Sequence, residues 1–277
     1  TSDSAIYAVG DAVEVTNPVT GLPAFIPLAG PANRQGRIAA DQIFGRDSRY
    51  RGTIGTSICK VFSLAAGATG ASEKLLRRIG RPYQKTYLHP GHHAGYYPDA
   101  ESISLKVIFD TASGAILGAQ AVGAKGVDKR IDVIAASIAA GRTVFDLEHL
   151  ELAYAPPYGS AKDPVNMVGF IAGNILRGEH RIIHAEEIGA LDPARDMLLD
   201  VRTVEENAEG RMPNSINIPI NELRGRIGEL PRDRRIVVYC AVGQRGYVAQ
   251  RMLTQMGFDA VNLSGGYATW IMAQAAR

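Results

Sequence analysis

Two different patterns of apolar and polar positions divide the chain into two parts. The first part begins with a short strand at residues 5–9 and a helix from Pro31 to Phe44, as the spacing of apolar residues predicts. Strands then alternate irregularly with helices, and a hairpin turn is expected at residues 110–114. The strands are predicted at residues 57–62, 83–88, 102–109 and 115–121, and the helices at residues 72–79, 128–140 and 164–176. A sheet with helices on one side is typical of an α+β unit.

The second part alternates strands and helices regularly. Its strands are predicted at residues 197–201, 215–218, 236–239 and 260–263, and its helices at residues 221–227, 246–256 and 266–275. Such alternation predicts an α/β domain with a parallel sheet of four or five strands and helices on both faces. A charged, irregular segment at residues 177–191 separates the two parts, so we place the domain boundary there.

Composition and charge limit the classes of function that can be expected. The sequence has 46% apolar residues and a net charge of +2, which is typical of a globular protein and gives no electrostatic reason to expect nucleic acid. No apolar run approaches the ~18 residues of a membrane span, so no membrane partner is expected. Two cysteines are too few for a disulfide scaffold, which favours a reducing, cytoplasmic location. The histidines lack acidic or cysteine partners at ligand spacing, so no metal is expected.

Cys240 is the candidate nucleophile. It ends the predicted buried strand at residues 236–239, and a tight loop containing Gly243 leads from it to a helix. Backbone N–H groups of such a loop, together with a helix N-terminus, bind anions, and a thiol at its rim is expected to lose its proton readily. The alternative is an ordinary buried cysteine at the end of a core strand.

The size of this loop distinguishes sulfur chemistry from phosphorus chemistry. Four residues separate Cys240 from Arg245, whereas cysteine phosphatases have five residues between the corresponding Cys and Arg. The smaller loop favours a persulfide over a phosphate. The forked guanidinium of Arg245 suits an oxyanion such as sulfate or thiosulfate.

Six motifs in this part of the chain together resemble a single-domain rhodanese over about residues 182–275. They are Asp200-Val-Arg202, Glu205, Gly210 to Pro213, Ile216 to Pro219, Cys240 to Arg245 and Leu263 to Trp270. The resemblance implies that Cys240 cycles through a persulfide held by Arg245 and by the loop, which comprises Ala241, Val242, Gly243, Gln244 and Gly246.

Two further expectations accompany this resemblance. Asp200 and Arg202 are expected to pair and support the loop. The sequence departs from the usual rhodanese pattern at Arg211, where His is common, and at Gly246, where Ser is frequent. These departures put the choice of sulfur acceptor in doubt more than the activity itself.

The first part resembles a different family. Residues 6–11 and the helix start at residues 30–33 resemble the second flavin-binding motif of pyridine nucleotide–disulfide oxidoreductases. Five later segments resemble the dimerisation domain of coenzyme A disulfide reductases: residues 55–62, 89–98, 126–130, 154–158 and 162–166. A rhodanese unit behind such a domain is similar to the arrangement in coenzyme A disulfide reductases and NADH-dependent persulfide or polysulfide reductases.

This second resemblance implies three domains. They are a piece of an FAD-binding domain at residues 1–48, a dimerisation domain at residues 49–178 and a rhodanese domain at residues 182–277. It also implies FAD, NADH or NADPH, and coenzyme A as cofactors or substrates, and a homodimer. The expected sulfur compounds are coenzyme A persulfide or disulfide, polysulfide and thiosulfate.

Site residues follow from the same resemblance. Gly10, Asp11, Asn33 and Tyr154 are expected to contact flavin. Contacts with coenzyme A, or with the active site of the partner subunit, are expected from four residues: Tyr96, Tyr97, Tyr158 and Lys162.

The sequence lacks three features that this family needs. It has no Gly-x-Gly-x-x-Gly motif, no redox cysteine near such a motif and no nicotinamide domain, so we expect a C-terminal portion of a longer protein. Two alternatives stay open: a non-catalytic rhodanese-like binding module on a dimer scaffold, and a stand-alone thiosulfate sulfurtransferase. An arsenate or phosphate-ester enzyme is disfavoured by the short loop.

Overall fold

The N-terminal segment of the computed structural model, which describes residues 1–276, contains a small hairpin and one long helix. The hairpin consists of β1 (Val15–Thr16) and β2 (Pro23–Ala24), and helix α1 spans Ala29–Ile43, close to its predicted range. The predicted strand at residues 5–9 is wrong, because these residues form turns and irregular backbone before a 3-10 turn at Gly10–Ala12. A strand needs backbone partners, and no described strand lies beside this segment.

A five-stranded antiparallel sheet forms the first unit, which confirms the α+β prediction. Its strands are β3 (Ser57–Val61), β4 (Leu64–Gly70), β5 (Gln84–Leu88), β6 (Ser104–Phe109) and β7 (Ile116–Gly123), in the spatial order β3-β4-β7-β6-β5. The helices of this unit are α2 (Glu73–Arg78), α3 (Val127–Ala139), α4 (Val144–Glu148) and α5 (Pro164–Leu176). Apolar residues of β6 and β7 pack against α3, α4 and α5 to form the main core.

Strand β4 was missed by the sequence pattern. Its sequence, Leu-Ala-Ala-Gly-Ala-Thr-Gly, is mostly Ala and Gly, and Thr69 is its one residue of the β-branched or aromatic types that mark strands. It is a strand because β3 and β7 both pair with it. Gly67 also permits close packing, since a Cβ at this position would lie 2.9 Å from the Ile131 side chain of α3. Tertiary packing thus overrides the local preference.

Helix ends in this unit follow simple capping rules. The Ser72 hydroxyl accepts the Leu75 N–H at 3.2 Å and begins α2, as Ser72 in the sequence indicates. Asp163 begins α5, whose bounds match the prediction. Helix α4 was missed because its five residues are too few to show a helical period. A capping box between Thr143 and Asp146 begins it.

The second unit has a five-stranded parallel sheet, as predicted. Its strands are β8 (Ile182–Ile183), β9 (Asp196–Asp200), β10 (Ile216–Asn217), β11 (Arg235–Tyr239) and β12 (Ala260–Leu263), in the order β10-β9-β11-β12-β8. Its helices are α6 (Val204–Glu209), α7 (Ile220–Leu223), α8 (Gln244–Gln255) and α9 (Gly266–Ala275). Two apolar clusters, one on each side of the sheet, form its core.

Four features of this unit differ from the prediction. Strand β8 lies in the segment expected to be irregular, and it forms because Ile182 and Ile183 pair with β12. Helix α6 was not predicted. The helix expected at residues 221–227 is shorter, and α8 begins at Gln244 instead of residue 246 because Gly243, with φ +99°, caps it.

Polar contacts join the two units. The Tyr87 N–H of β5 donates to the Ser264 hydroxyl at 3.0 Å, and the His89 ring lies 2.7 Å from the Thr269 hydroxyl. The buried Lys85 ammonium forms ion pairs with Glu73 of its own unit and Glu186 of the second. The second unit is therefore packed against the β5 edge of the first sheet.

Candidate active site

Cys240 lies at the carboxyl end of the central strand of the parallel sheet. Strand β11 pairs with β9 on one side and β12 on the other. Open α/β sheets bind ligands at this edge, outside the carboxyl ends of the strands. The Cys240 side chain is 1% exposed and packs within the core cluster, so its thiol faces the protein and not bulk water.

Contacts with α9 orient the loop that follows Cys240. The Tyr267 N–H donates to the Cys240 carbonyl at 2.8 Å, and the Ala268 N–H donates to the Ala241 carbonyl at 2.9 Å. In a trans peptide the C=O and N–H groups point in opposite directions. Because α9 holds these two carbonyls, the N–H groups of Ala241 and Val242 point to the other side, into the loop.

A glycine allows this close approach. Gly266 has φ +61°, and a Cβ there would lie 2.4 Å from the Cys240 carbonyl oxygen. On the inner side of the loop, the Gly243 N–H donates to the Cys240 Sγ at 3.1 Å. The N-terminus of α8 follows directly and has no side-chain cap. The loop thus presents N–H groups and a helix dipole to a negative sulfur.

Arg245 lies in the first turn of α8, and the carboxylate of Glu206, which was not among the expected site residues, holds its guanidinium. Arg245 donates two hydrogen bonds to Glu206, both at 2.7 Å. This contact is the largest cause of the raised pKa of Arg245, and the neighbouring Cys240 sulfur raises it further. The same contact lowers the pKa of Glu206 to about 2. Arg245 is therefore a fixed cation beside the thiol.

The sequence contained a usable signal for Glu206. Thr203-x-x-Glu206 forms a capping box, in which the Thr203 hydroxyl accepts the Glu206 N–H and Glu206 accepts the Thr203 N–H. This box fixes the first turn of α6 so that Glu206 faces Arg245. The neighbouring Glu205, which the motif comparison had singled out, is exposed.

Asp200 and Arg202 form a buried ion pair next to the loop. The Arg202 guanidinium donates to both Asp200 carboxylate oxygens at distances from 2.7 to 3.1 Å. Arg202 also donates to the Gly210 carbonyl and lies over the Tyr267 ring, 4.2 Å from its centroid. Since Tyr267 holds the Cys240 carbonyl, this pair supports the loop indirectly.

Three of the four expected flavin residues, Gly10, Asp11 and Asn33, lie close together at or beside the first turns of α1. The Gly10 N–H donates to the Gln35 side chain of this helix at 2.7 Å, and Gly10 has φ +78°. Asp11 is exposed beside it, and Asn33 is exposed in the first turns of the helix. Leu28 is the N-cap residue of helix α1, and no side chain caps the helix there.

These residues fit one wall of a flavin site. An exposed carboxylate can accept hydrogen bonds from ribityl hydroxyls, and an uncapped helix N-terminus can stabilise negative charge on a flavin. The apolar side chains of Ile6, Tyr7 and Val9 are 41 to 56% exposed, as expected of a surface that another group covers.

Tyr154, the fourth expected flavin residue, lies on the surface of the first unit with the three tyrosines expected at coenzyme A or the partner's active site. The Tyr96 and Tyr154 hydroxyls are 3.2 Å apart and hydrogen-bonded. Tyr97 and Tyr158 are also exposed, Tyr158 by 73%. The structure therefore brings Tyr96 and Tyr154 together and leaves all four side chains accessible.

Lys162 and the Cys240 loop share a cleft between the two units. This cleft has a volume of about 500 Å3 and is lined by Lys162, Val242, Gly243 and Gln244, among others. The Lys162 ammonium lies over the Phe170 ring, 4.8 Å from its centroid. A cation therefore stands in the cleft that the loop borders.

Metal binding and membrane insertion are two further points that bear on function. Within residues 1–276, no group of three or more His, Cys, Asp or Glu side chains is arranged to hold a metal ion. Nor does this part of the chain contain a helix that is long and apolar enough to cross a membrane.

Comparison with known families identifies both units. Residues 56–163 match the pyridine nucleotide-disulphide oxidoreductase dimerisation domain, and residues 184–273 match the rhodanese-like domain. The chain thus combines a match to each of these two domains in one sequence. This confirms the predicted fold class and the resemblance to both families.

The individual relatives show which enzymes the chain is similar to. The coenzyme A disulfide reductase of Staphylococcus haemolyticus (strain JCSC1435) is 40% identical over 171 residues, which are 61% of this chain and 38% of the relative. The crystal structure of reduced Bacillus anthracis CoADR-RHD is 49% identical with a TM-score of 0.97, and the match covers all of this chain and 50% of that one.

A third relative has a different stated activity. The NAD-dependent persulfide reductase from A. fulgidus is 41% identical with a TM-score of 0.89, and the match covers 98% of this chain and 49% of that one. The chain thus spans about half the length of these solved relatives, and 38% of the curated one.

Proposed function

We propose that the second unit transfers sulfane sulfur through a persulfide on Cys240. The observation that carries this proposal is the Gly243 N–H bond to the Cys240 Sγ, in a loop closed by Arg245. A terminal persulfide sulfur is negatively charged, so it gains from inward N–H groups, a helix N-terminus and a fixed guanidinium. A cysteine that only filled the core would not need N–H groups, a helix N-terminus and a guanidinium near its sulfur.

The first half-reaction loads the sulfur. With thiosulfate as donor, the Cys240 thiolate attacks the sulfane sulfur, a new S–S bond forms, and the old S–S bond breaks. Sulfite leaves with the electron pair, and the product on the enzyme is Cys–S–S⁻. Arg245 would stabilise the anionic donor, and the loop amides, those of Ala241, Val242, Gly243, Gln244 and Gly246, would stabilise the charge on the bound sulfur.

The second half-reaction returns the enzyme to its starting state. A nucleophilic acceptor, such as cyanide in an assay or a thiolate in the cell, attacks the terminal sulfur. The bond between the two sulfurs breaks and Cys240 leaves as a thiolate. Asp200 and Arg202 would keep the loop in place in both steps through Tyr267.

We also propose that this unit serves an FAD- and NAD(P)H-dependent reductase of coenzyme A disulfide, persulfide or polysulfide. The support is the similarity to relatives named as a coenzyme A disulfide reductase and as a NAD-dependent persulfide reductase. When FAD is bound it supplies electron transfer from NAD(P)H. Gly10, Asp11 and Asn33 would hold it, and Tyr154 would reach the flavin of the partner subunit. Coenzyme A would contact an exposed set of residues, comprising Tyr96, Tyr97, Tyr158 and Lys162.

The family matches also favour a proposed division of the chain. We propose a flavin-binding piece at residues 1–48, a dimerisation domain at residues 49–178 that pairs two chains, and a sulfurtransferase domain at residues 182–277.

A thiosulfate:cyanide assay tests the sulfurtransferase proposal. The wild-type chain is expected to form thiocyanate, and Cys240→Ser is expected to lose this activity. Cys59→Ser is the matched control, because Cys59 is the other cysteine of the sequence and is exposed on β3, in the other unit. Equal thiocyanate formation by wild type and Cys240→Ser would refute the proposal.

Activity of the reductase is tested separately. NADH or NADPH oxidation is measured with protein that carries bound FAD, with coenzyme A disulfide or polysulfide as acceptor. Oxidation that depends on either acceptor is expected. If neither acceptor increases oxidation, the reductase proposal fails while the sulfurtransferase proposal still stands or falls on thiocyanate formation.

A further inference from the structure

Asn262 contacts the loop between Cys240 and Arg245, which is proposed to bind the sulfur. Its side chain is 1% exposed and projects from β12. The Asn262 Nδ2 donates to the Gly243 carbonyl at 3.0 Å and lies 3.0 Å from the His180 Nε2. The Gly243 carbonyl also accepts the Tyr247 N–H at 2.9 Å. Two donors therefore hold one carbonyl of the loop.

His180 is the second residue that the Asn262 amide contacts, and it is itself held in place. It is 95% buried, since its relative exposure is 5%, and its ring packs edge-on against Tyr247 with centroids 4.7 Å apart. The His180 N–H bonds to the Asn174 carbonyl of α5, so the segment leaving the first unit carries this histidine. Because an amide NH2 group can only donate, the His180 Nε2 must be the acceptor and the ring must be neutral.

Burial keeps the ring in this state. Desolvation, with a smaller effect from Arg251, lowers the pKa of His180 to about 4. The ring contacts Asn262 and Tyr247, and Arg251 is close enough to lower its pKa; none of these three is an acid that would favour the imidazolium. At neutral pH the bond from Asn262 to His180 is therefore intact.

The orientation of one peptide depends on this chain of contacts. Gly243 has φ +99°, and glycine changes its backbone angles with little steric resistance. Its carbonyl is held by Asn262 and Tyr247, so the N–H of Gln244 points in the opposite direction. Loss of one donor would let this peptide rotate and turn a partial positive charge away from the sulfur.

We propose that His180 and Asn262 are positioning residues for sulfur transfer, which hold the Gly243–Gln244 peptide with its N–H directed at the persulfide. This inference rests on the proposed persulfide on Cys240. It makes the connection between the two units part of the sulfur site, because His180 belongs to the segment between α5 and β8.

Two amide variants of His180 test the proposal. Glutamine places its terminal amide at about the position of Nε2 and can accept the Asn262 hydrogen bond, whereas asparagine reaches only as far as Nδ1. We expect His180→Gln to keep kcat/KM for thiosulfate within about threefold, since its acceptor survives. His180→Asn and Asn262→Ala should lower it roughly tenfold or more, as removal of a preorganised donor does.

The comparison separates positioning from folding. His180→Gln and His180→Asn lose the same ring packing against Tyr247, so both should melt at similar temperatures. Activity that follows the reach of the amide, at similar melting temperatures, supports the proposal. Equal activity in the two variants overturns it, as does a wild-type rate in Asn262→Ala. A wild-type enzyme that forms no thiocyanate would instead refute the proposed function itself.

Discussion

Gly246 offers a sharp test of how tightly the sulfur loop is packed. A Cβ at Gly246 would lie 2.2 Å from the Asn262 Oδ1 and 3.2 Å from its Cγ. These distances are well below normal contact. Gly246→Ala must therefore displace either the Asn262 side chain or the start of α8.

Both responses cost a similar free energy. Displacing Asn262 breaks its two hydrogen bonds, to Gly243 and His180, at about 1 kcal/mol each. Keeping Asn262 in place forces the loop outward, and overpacking of this kind costs about 1–3 kcal/mol. We therefore expect a loss of roughly 2 kcal/mol in the free energy of unfolding. For a domain of this size, that lowers the melting temperature by about 8–16 °C.

Thermal or urea unfolding measures this loss. The matched control is Gly228→Ala, because a Cβ at Gly228 would meet no atom within 4 Å. The double variant Gly246→Ala/Asn262→Ala adds a second check, since removal of the Asn262 amide relieves the clash. Its destabilisation should be smaller than the sum of the two single changes.

Two results would refute this reasoning. One is a Gly246→Ala variant as stable as Gly228→Ala, which would mean that the loop yields without cost. The other is full additivity in the double variant, which would mean that Gly246 and Asn262 do not interact.

Two further predictions concern charge. Glu206→Gln removes a negative charge beside Arg245, so the KM for thiosulfate should fall by roughly threefold at low salt and less at high salt; a rise in KM would contradict this. Burial lowers the pKa of His180 and of His184 to about 4, so the unfolded chain binds more protons than the folded one below pH 6.5. Stability should therefore be fully present above pH 6.5 and fall by roughly 2 kcal/mol per histidine between pH 7 and pH 5, measured by urea unfolding. Equal stability at these two pH values would contradict the burial argument.

Periodicity identified the long, strongly patterned elements of the chain. The bounds of α5, β12 and α9 agree with the prediction, and the N-cap residues Asp163 and Gly265 mark the starts of the two helices. Elements defined by pairing were not predictable. Strand β4 is rich in Ala and Gly, and β8 has two residues, so only their neighbours in the sheet make them strands.

The candidate site likewise contains residues that the sequence predicted and residues that it did not. Cys240 and Arg245 are close in sequence, so their spacing alone predicted the loop. Glu206 is 39 residues from Arg245, and which of two adjacent glutamates faces the loop depends on how α6 is capped. His180 approaches Asn262 from a segment 82 residues away, and no local pattern indicates that contact.

The central claim is that Cys240 carries a sulfane sulfur. The most direct test is intact-protein and peptide mass spectrometry after brief exposure to thiosulfate, followed by removal of the excess donor. The account predicts the mass of one additional sulfur atom on the peptide containing Cys240, lost again when cyanide is added and not formed in Cys240→Ser. An unchanged mass of that peptide, or added sulfur that appears on Cys59 instead, would contradict it.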